Sequence, residues 1–150
     1  MKGSKVLIKN GTVKTSSPEL AILIQNFADE LILDNVKLSG KISTQYILSN
    51  NFGNVIMKNG TTVKASSGHV AFDAHYGLSS EYDDGVTVTI ADDTVNIIGL
   101  VEYTKQEGKS DEDFLSKTHI YIPAGYELAA PEGYKFQLTE DGTRQELVKA

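Results

Sequence analysis

The stretches Val6-Leu7-Ile8-Lys9-Asn10-Gly11, Leu31-Ile32-Leu33-Asp34-Asn35-Val36 and Val55-Ile56-Met57-Lys58-Asn59-Gly60 decide how this chain is read. Each is a short apolar run that ends at an asparagine. The asparagines stand at positions 10, 35 and 59, so the steps are nearly equal. A second alternating run follows each of them: Thr12-Val13-Lys14, Lys37-Leu38 and Thr62-Val63-Lys64. A third run lies between these pairs, as Ala21 to Ile24, Gln45 to Leu48 and His69 to Phe72. It ends at positions 24, 48 and 72, which are evenly spaced. Two ladders with one period describe a solenoid repeat.

Three short strands joined by turns cannot bury their own apolar side chains. Stacked coils can, because each strand pairs with its copy above and below. Asparagine suits the tight corner, since it tolerates left-handed backbone angles and hydrogen-bonds locally. Asn10, Asn35 and Asn59 are therefore expected to stack as a structural ladder of side-chain amides.

The stretches "LIKNGTVK", "LILDNVKLSG" and "VIMKNGTTVKAS" resemble the coil pattern of the right-handed parallel β-helix (pectate-lyase-like) superfamily, as in bacterial surface adhesins and phage tail proteins. The resemblance covers roughly positions 5 to 98. It implies an all-β chain of about four short coils, each one period long, with a C-terminal β-hairpin cap. Residues 1–98 are expected to form the coils, and 99–150 a last irregular coil and the cap within the same domain, with an independent small β domain as the alternative. In family terms the strand ending at Ile24 is the first of its coil, 25–30 the first turn, 31–33 the second strand and Asp34-Asn35 the corner.

The fourth coil is stretched. Val86 to Ile90 and Thr94 to Ile97 repeat the strand pair with Asp92 or Asp93 at the corner, and the step from Asn59 to Asp92 is well over one period. The cause is the first turn, which is short in earlier coils, at 25–30 and 49–54, but runs from Asp73 to Gly85 here. Loops inserted on one side of a solenoid commonly form its binding face. Beyond Ile98, Ser110 to Leu115 carries N-cap chemistry for a helical turn or a loop. His119 to Ile122 and Tyr126 to Leu128 read as strands, and Asp141-Gly142 marks a hairpin between Tyr134 to Thr139 and Thr143 to Val148. Tyr126, Tyr134 and Phe136 read as cap core.

Composition narrows the function classes. The chain is 40 % hydrophobic and 23 % charged, an ordinary globular balance. The net charge is −6 and Arg144 is the only arginine, which disfavours a phosphate-gripping, nucleic-acid-binding role. The longest apolar run, Leu20 to Ile24, is strand-sized, so no membrane insertion is expected. Without cysteine there are no disulfides, thiol catalysis or Cys-ligated zinc. No signal peptide is visible in Met1-Lys2-Gly3-Ser4, and the abrupt start of the repeat suggests a piece of a longer protein.

Catalytic motifs are weak, and no catalytic residue is assigned. Polygalacturonase-like relatives use an Asp pair followed by Gly-His-Gly. Here Asp92-Asp93 follows Gly68-His69-Val70, which lacks the second glycine. Pectate lyases use a basic residue beside calcium, and Arg144 lies in the presumed cap. Glu81-Tyr82-Asp83-Asp84-Gly85 reads as a solvated turn, with calcium binding the other reading. His69, His75 and His119 lack a metal-ligand spacing, so no metal and no cofactor are expected.

The polar first turns suggest a sugar-binding face. Candidate ligand-binding residues are Asn26 and Asp29 in one coil, Asn50 and Asn51 in the next, and Asp73, His75 and Tyr76 in the long loop. Amides and carboxylates match sugar hydroxyls and an aromatic stacks on a sugar ring, although exposed first turns are polar in any case. The resulting expectation is a non-catalytic structural or adhesive segment of an extracellular, cell-surface or virion protein. Its partner would be a polysaccharide or cell-surface glycan, and a phage fibre would be a homo-trimer. The alternative is a carbohydrate-active β-helix enzyme, lyase or hydrolase, or a fragment of one.

Overall fold

The computed structural model describes residues 2–150. It is a β-solenoid of about four turns. The first strand, β1 (Lys5–Lys14), runs unbroken through the Asn10 corner and so supplies the second and third strands of its coil. After a turn, β2 (Ile22–Asn26) opens the next coil and β3 (Glu30–Ser39) again rounds a corner, at Asn35. The third coil contains β4 (Tyr46–Asn50), β5 (Gly53–Lys58) and β6 (Thr62–Lys64). The fourth contains β7 (Val70–Tyr76), β8 (Val86–Ile90) and β9 (Asn96–Ile98). Next come β10 (Leu100–Lys105), the short helix α1 (Asp111–Lys117) and β11 (His119–Pro123). The chain ends in the hairpin β12 (Tyr134–Leu138) and β13 (Arg144–Lys149).

All coil-to-coil pairings are parallel; those among β1 to β7 keep the sequence period, and β8, β9 and β10 pair at longer steps, with a register shift at Leu100/Val101. One sheet has the order β10-β7-β4-β2. There Ile24 lies over Leu48, Leu48 over Phe72, and Phe72 over Val101. In the second sheet Val6, Leu31, Val55, Val88 and Ile120 form one column. Val13, Leu38, Val63 and Ile97 form another. These columns are the core: Leu31, Leu38, Leu48, Val55, Val63, Phe72, Val88 and Ile120 are all buried.

Asn10, Asn35 and Asn59 are the described non-glycine residues with positive φ, at 55°, 56° and 54°. Each therefore holds the left-handed corner that its side chain makes tolerable. The amide of Asn35 donates to Asn10 Oδ1 at 3.0 Å. The ladder then branches, because Asn59 Nδ2 donates to Asp34 Oδ1 at 2.9 Å. At the fourth corner Asp92 Oδ2 accepts from Asn59 N at 2.9 Å, while Asp92 Oδ1 accepts from Thr94 N at 3.0 Å.

Two local readings need correction. Asp73 to Tyr76 is not loop: β7 continues through it, because Phe72, Ala74 and Tyr76 alternate inward against Asp73 and His75. The loop proper is 77–85, with one 3-10 turn at Ser80–Tyr82. Beyond residue 98 the parallel pattern continues, since β10 pairs with β7 and β11 with β8. Finally, Tyr126 to Leu128 is not a strand. Gln145 Nε2 binds both Pro123 O and Tyr126 O, at 2.9 and 3.0 Å, and Tyr126 OH donates to Val95 O at 2.7 Å. Those bonds tie the segment down outside any ladder. The Asp141-Gly142 hairpin forms, and β13 pairs antiparallel with β11.

Candidate functional site

The seven candidate ligand-binding residues fall into two groups. Asn26, Asn50, Asn51, Asp73 and Tyr76 are buried, which corrects the expectation of an exposed face at those positions. The cause is the close stacking of strands, about 4.8 Å apart, which brings each turn's side chains against the next turn's backbone. Asn26 Nδ2 donates to Phe52 O at 3.3 Å, and its Oδ1 accepts from Ala28 N at 3.1 Å. Asn51 Oδ1 accepts from Gln25 Nε2 at 3.2 Å. Asn50 Nδ2 donates to Asp73 O at 2.9 Å. Tyr76 is fully buried, its ring stacked on Phe114 with centroids 6.2 Å apart. The other two candidates keep part of their surface in solvent. Asp29 accepts from Gly3 N and lines a groove of about 280 Å³ with Asn54, Thr87 and Lys117.

His75 belongs to a polar cluster on the face of β7 opposite Phe72 and Tyr76. Asp73 is the centre of that cluster, 3 % exposed. Its Oδ1 accepts from Asn50 N at 2.6 Å and its Oδ2 from Ser49 Oγ at 3.0 Å. Glu102 on β10 lies directly beside Asp73 in register. Tyr46 OH donates to Glu102 Oε2 at 2.8 Å. Burial pushes the Asp73 carboxyl up to about 7; the bonds from Asn50 and Ser49 oppose the rise and the Glu102 charge adds to it. Burial and the bond to Glu102 push the Tyr46 phenol up to about 12. Burial also lowers the His75 pKa, against the pull of Gln106 and Glu102, and its Nε2 is buried without a hydrogen-bond partner among the described residues. A groove of about 250 Å³ lined by Gln45, Tyr46, His69 and Glu102 gives solvent access to one edge of the cluster.

Chemically this is a buried carboxyl of raised proton affinity set beside a second carboxylate, the kind of arrangement that supports acid–base work. The sequence reading picked out Asp73 and His75 but missed Tyr46, Ser49 and Glu102. Ser49 was findable, since it stands one period before Asp73. Glu102 was not, because the longer coil hides β10 as the next first strand.

The acidic loop does not gather its carboxylates. Asp83 pairs with Lys109 Nζ at 3.0 Å and Asp84 with Lys2 Nζ at 3.0 Å. Tyr82 turns inward onto Phe27 and Phe52, with ring centroids 4.8 and 5.3 Å away. The three histidines sit in separate places; His119 Nδ1 lies 2.8 Å from Glu146 Oε1. No known protein family, curated protein or solved structure matches the chain.

Proposed function

We propose that the chain is a non-catalytic structural or adhesive segment of a right-handed, pectate-lyase-like β-helix, carried at a bacterial surface or in a phage tail. The observation behind this reading is where the polar turn residues direct their hydrogen bonds. Asn26, Asn35, Asn50 and Asn51 all bond between coils, so the side chains that could face a ligand instead hold the stack together. The hairpin on β11 would then end the stack, since it turns a parallel sheet antiparallel and leaves no matched edge for another coil. Glycan contact would fall to the part-exposed Asp29 and His75. In solution a phage-fibre segment would sediment as a trimer. The decisive experiment is a glycan array run beside a product-release assay on the same polysaccharides. Binding without cleavage supports the reading. Release of reducing ends, lost in Glu102→Gln, overturns it.

One observation favours a second reading, a carbohydrate-active enzyme. Asp73 and Glu102 are adjacent carboxylates, and Asp73 holds its proton to about pH 7. Glycoside hydrolysis uses two carboxyl groups, one of which holds a proton to give to the leaving group. Under this reading both Asp73→Asn and Glu102→Gln abolish turnover while the protein stays folded.

A further inference from the structure

β10 is a terminal strand of its sheet, with β7 on one side only. Leu100 N donates to His69 O and Gln106 N to Tyr76 O, both at 2.9 Å. Amides alternate in direction along a parallel strand, so those of Val101, Tyr103 and Lys105 point away from β7. Across the open side stands the irregular segment 129–132, leaving a groove of about 640 Å³. Gly99 to Thr104 form one wall; Ala129, Ala130 and Pro131 form an apolar opposite wall. Among the described residues no backbone hydrogen bond joins 129–132 to β10. Leu100, 54 % exposed, stands at one end. The charged residues lining the groove are Glu102 and Glu132, with no lysine or arginine among them.

We propose that this groove binds an extended, basic peptide segment of a separate protein, added to β10 as a fifth strand of the sheet. The unpaired amides give the strand its backbone partners, as in other cases of strand addition. The two carboxylates select lysine or arginine side chains. Six residues of β-strand at about 3.3 Å each set a site for a peptide of about six residues. A second copy stacked end to end is disfavoured, because β12 and β13 already occupy the same end of the other sheet. Of the other terminal strands, β1 carries Lys5, Lys9 and Lys14 and repels a basic strand.

The test titrates the full chain into a fluorescent, end-blocked hexapeptide of alternating valine and lysine, with amide exchange followed by NMR. The expected result is saturable binding that slows exchange at Val101, Tyr103 and Lys105. The valine–glutamate peptide, and a valine–lysine peptide N-methylated at alternate residues, should each bind at least about tenfold more weakly. Glu132→Lys, at an exposed position, should weaken binding about fivefold or more without changing the melting temperature. No binding at millimolar peptide, equal affinity for the acidic peptide, or protection confined to β1 overturns the proposal. So does concentration-dependent dimerisation that protects the same β10 amides without peptide, which would assign the groove to a second copy.

Discussion

Asn59 donates its side-chain amide to Asp34 Oδ1, 2.9 Å away, rather than to Asn35, the residue of its own column. Asn35 in turn donates to Asn10 Oδ1. The corner is thus a staggered chain of amides and carboxylates around three left-handed residues. A side chain here has two jobs: to tolerate positive φ and to bridge coils.

These two jobs separate by substitution at Asn35. Glycine keeps the backbone but loses the bond to Asn10, at about 1 kcal/mol. Alanine loses the bond and also forces a left-handed alanine, at about 1–2 kcal/mol more. Asn35→Ala should therefore unfold at lower urea than Asn35→Gly. Equal midpoints would mean that the φ of 56° is of no energetic consequence.

Gly85 has φ +87°, and a Cβ on it would lie 2.2 Å from the carbonyl oxygen of Lys117. That oxygen belongs to backbone, so no side chain can swing aside. Gly85→Ala should cost about 3 kcal/mol or more, measured by thermal or urea unfolding.

Phe114 is buried where α1 meets the coils, 4.4 Å from the Tyr103 ring and stacked on Tyr76. Phe114→Ala should destabilise by about 3–5 kcal/mol. Calorimetry would show a large drop in melting temperature. A small drop would mean that α1 is only loosely docked.

Asp73 makes stability fall as pH rises. Its folded pKa, about 7, lies above the ordinary carboxylate value of 3.8. Between those values the folded chain holds a proton that the unfolded chain has released, so ΔG of unfolding decreases with pH. The favourable contribution is complete below about pH 4 and gone above about pH 7, and its full size is up to about 4 kcal/mol. Asp73→Asn keeps an acceptor for Asn50 N and removes the charge beside Glu102. Urea midpoints across this range should flatten in the variant, and the variant should be the more stable protein at pH 8.

Much of the architecture was legible because its cause is periodic. Asn10, Asn35 and Asn59, with Ile24, Leu48 and Phe72, repeat at the coil length, and register follows from period alone. What was missed lies where a coil departs from that length. The strand through Asp73 to Tyr76 looked like loop because an insertion follows it. β10 was hidden because Val101, the partner of Phe72, stands further along the chain than one period. The site was less legible still. Asparagine and aspartate in a turn look alike whether they face water or a neighbouring backbone, and only stacking decides which.

The parallel register also fixes how this molecule converts sequence into reach. Each additional coil lengthens the stack by a single inter-strand spacing, about 4.8 Å. The same stretch of chain wound as a helix, at about 1.5 Å per residue, would reach several times further. Most of the polypeptide therefore goes into girth, giving a short, thick pillar whose height can change only in fixed increments. A residue gained or lost within a strand would put the columns above it out of step, whereas a turn can lengthen, as 77–85 does, and leave Val55, Val88 and Ile120 in line.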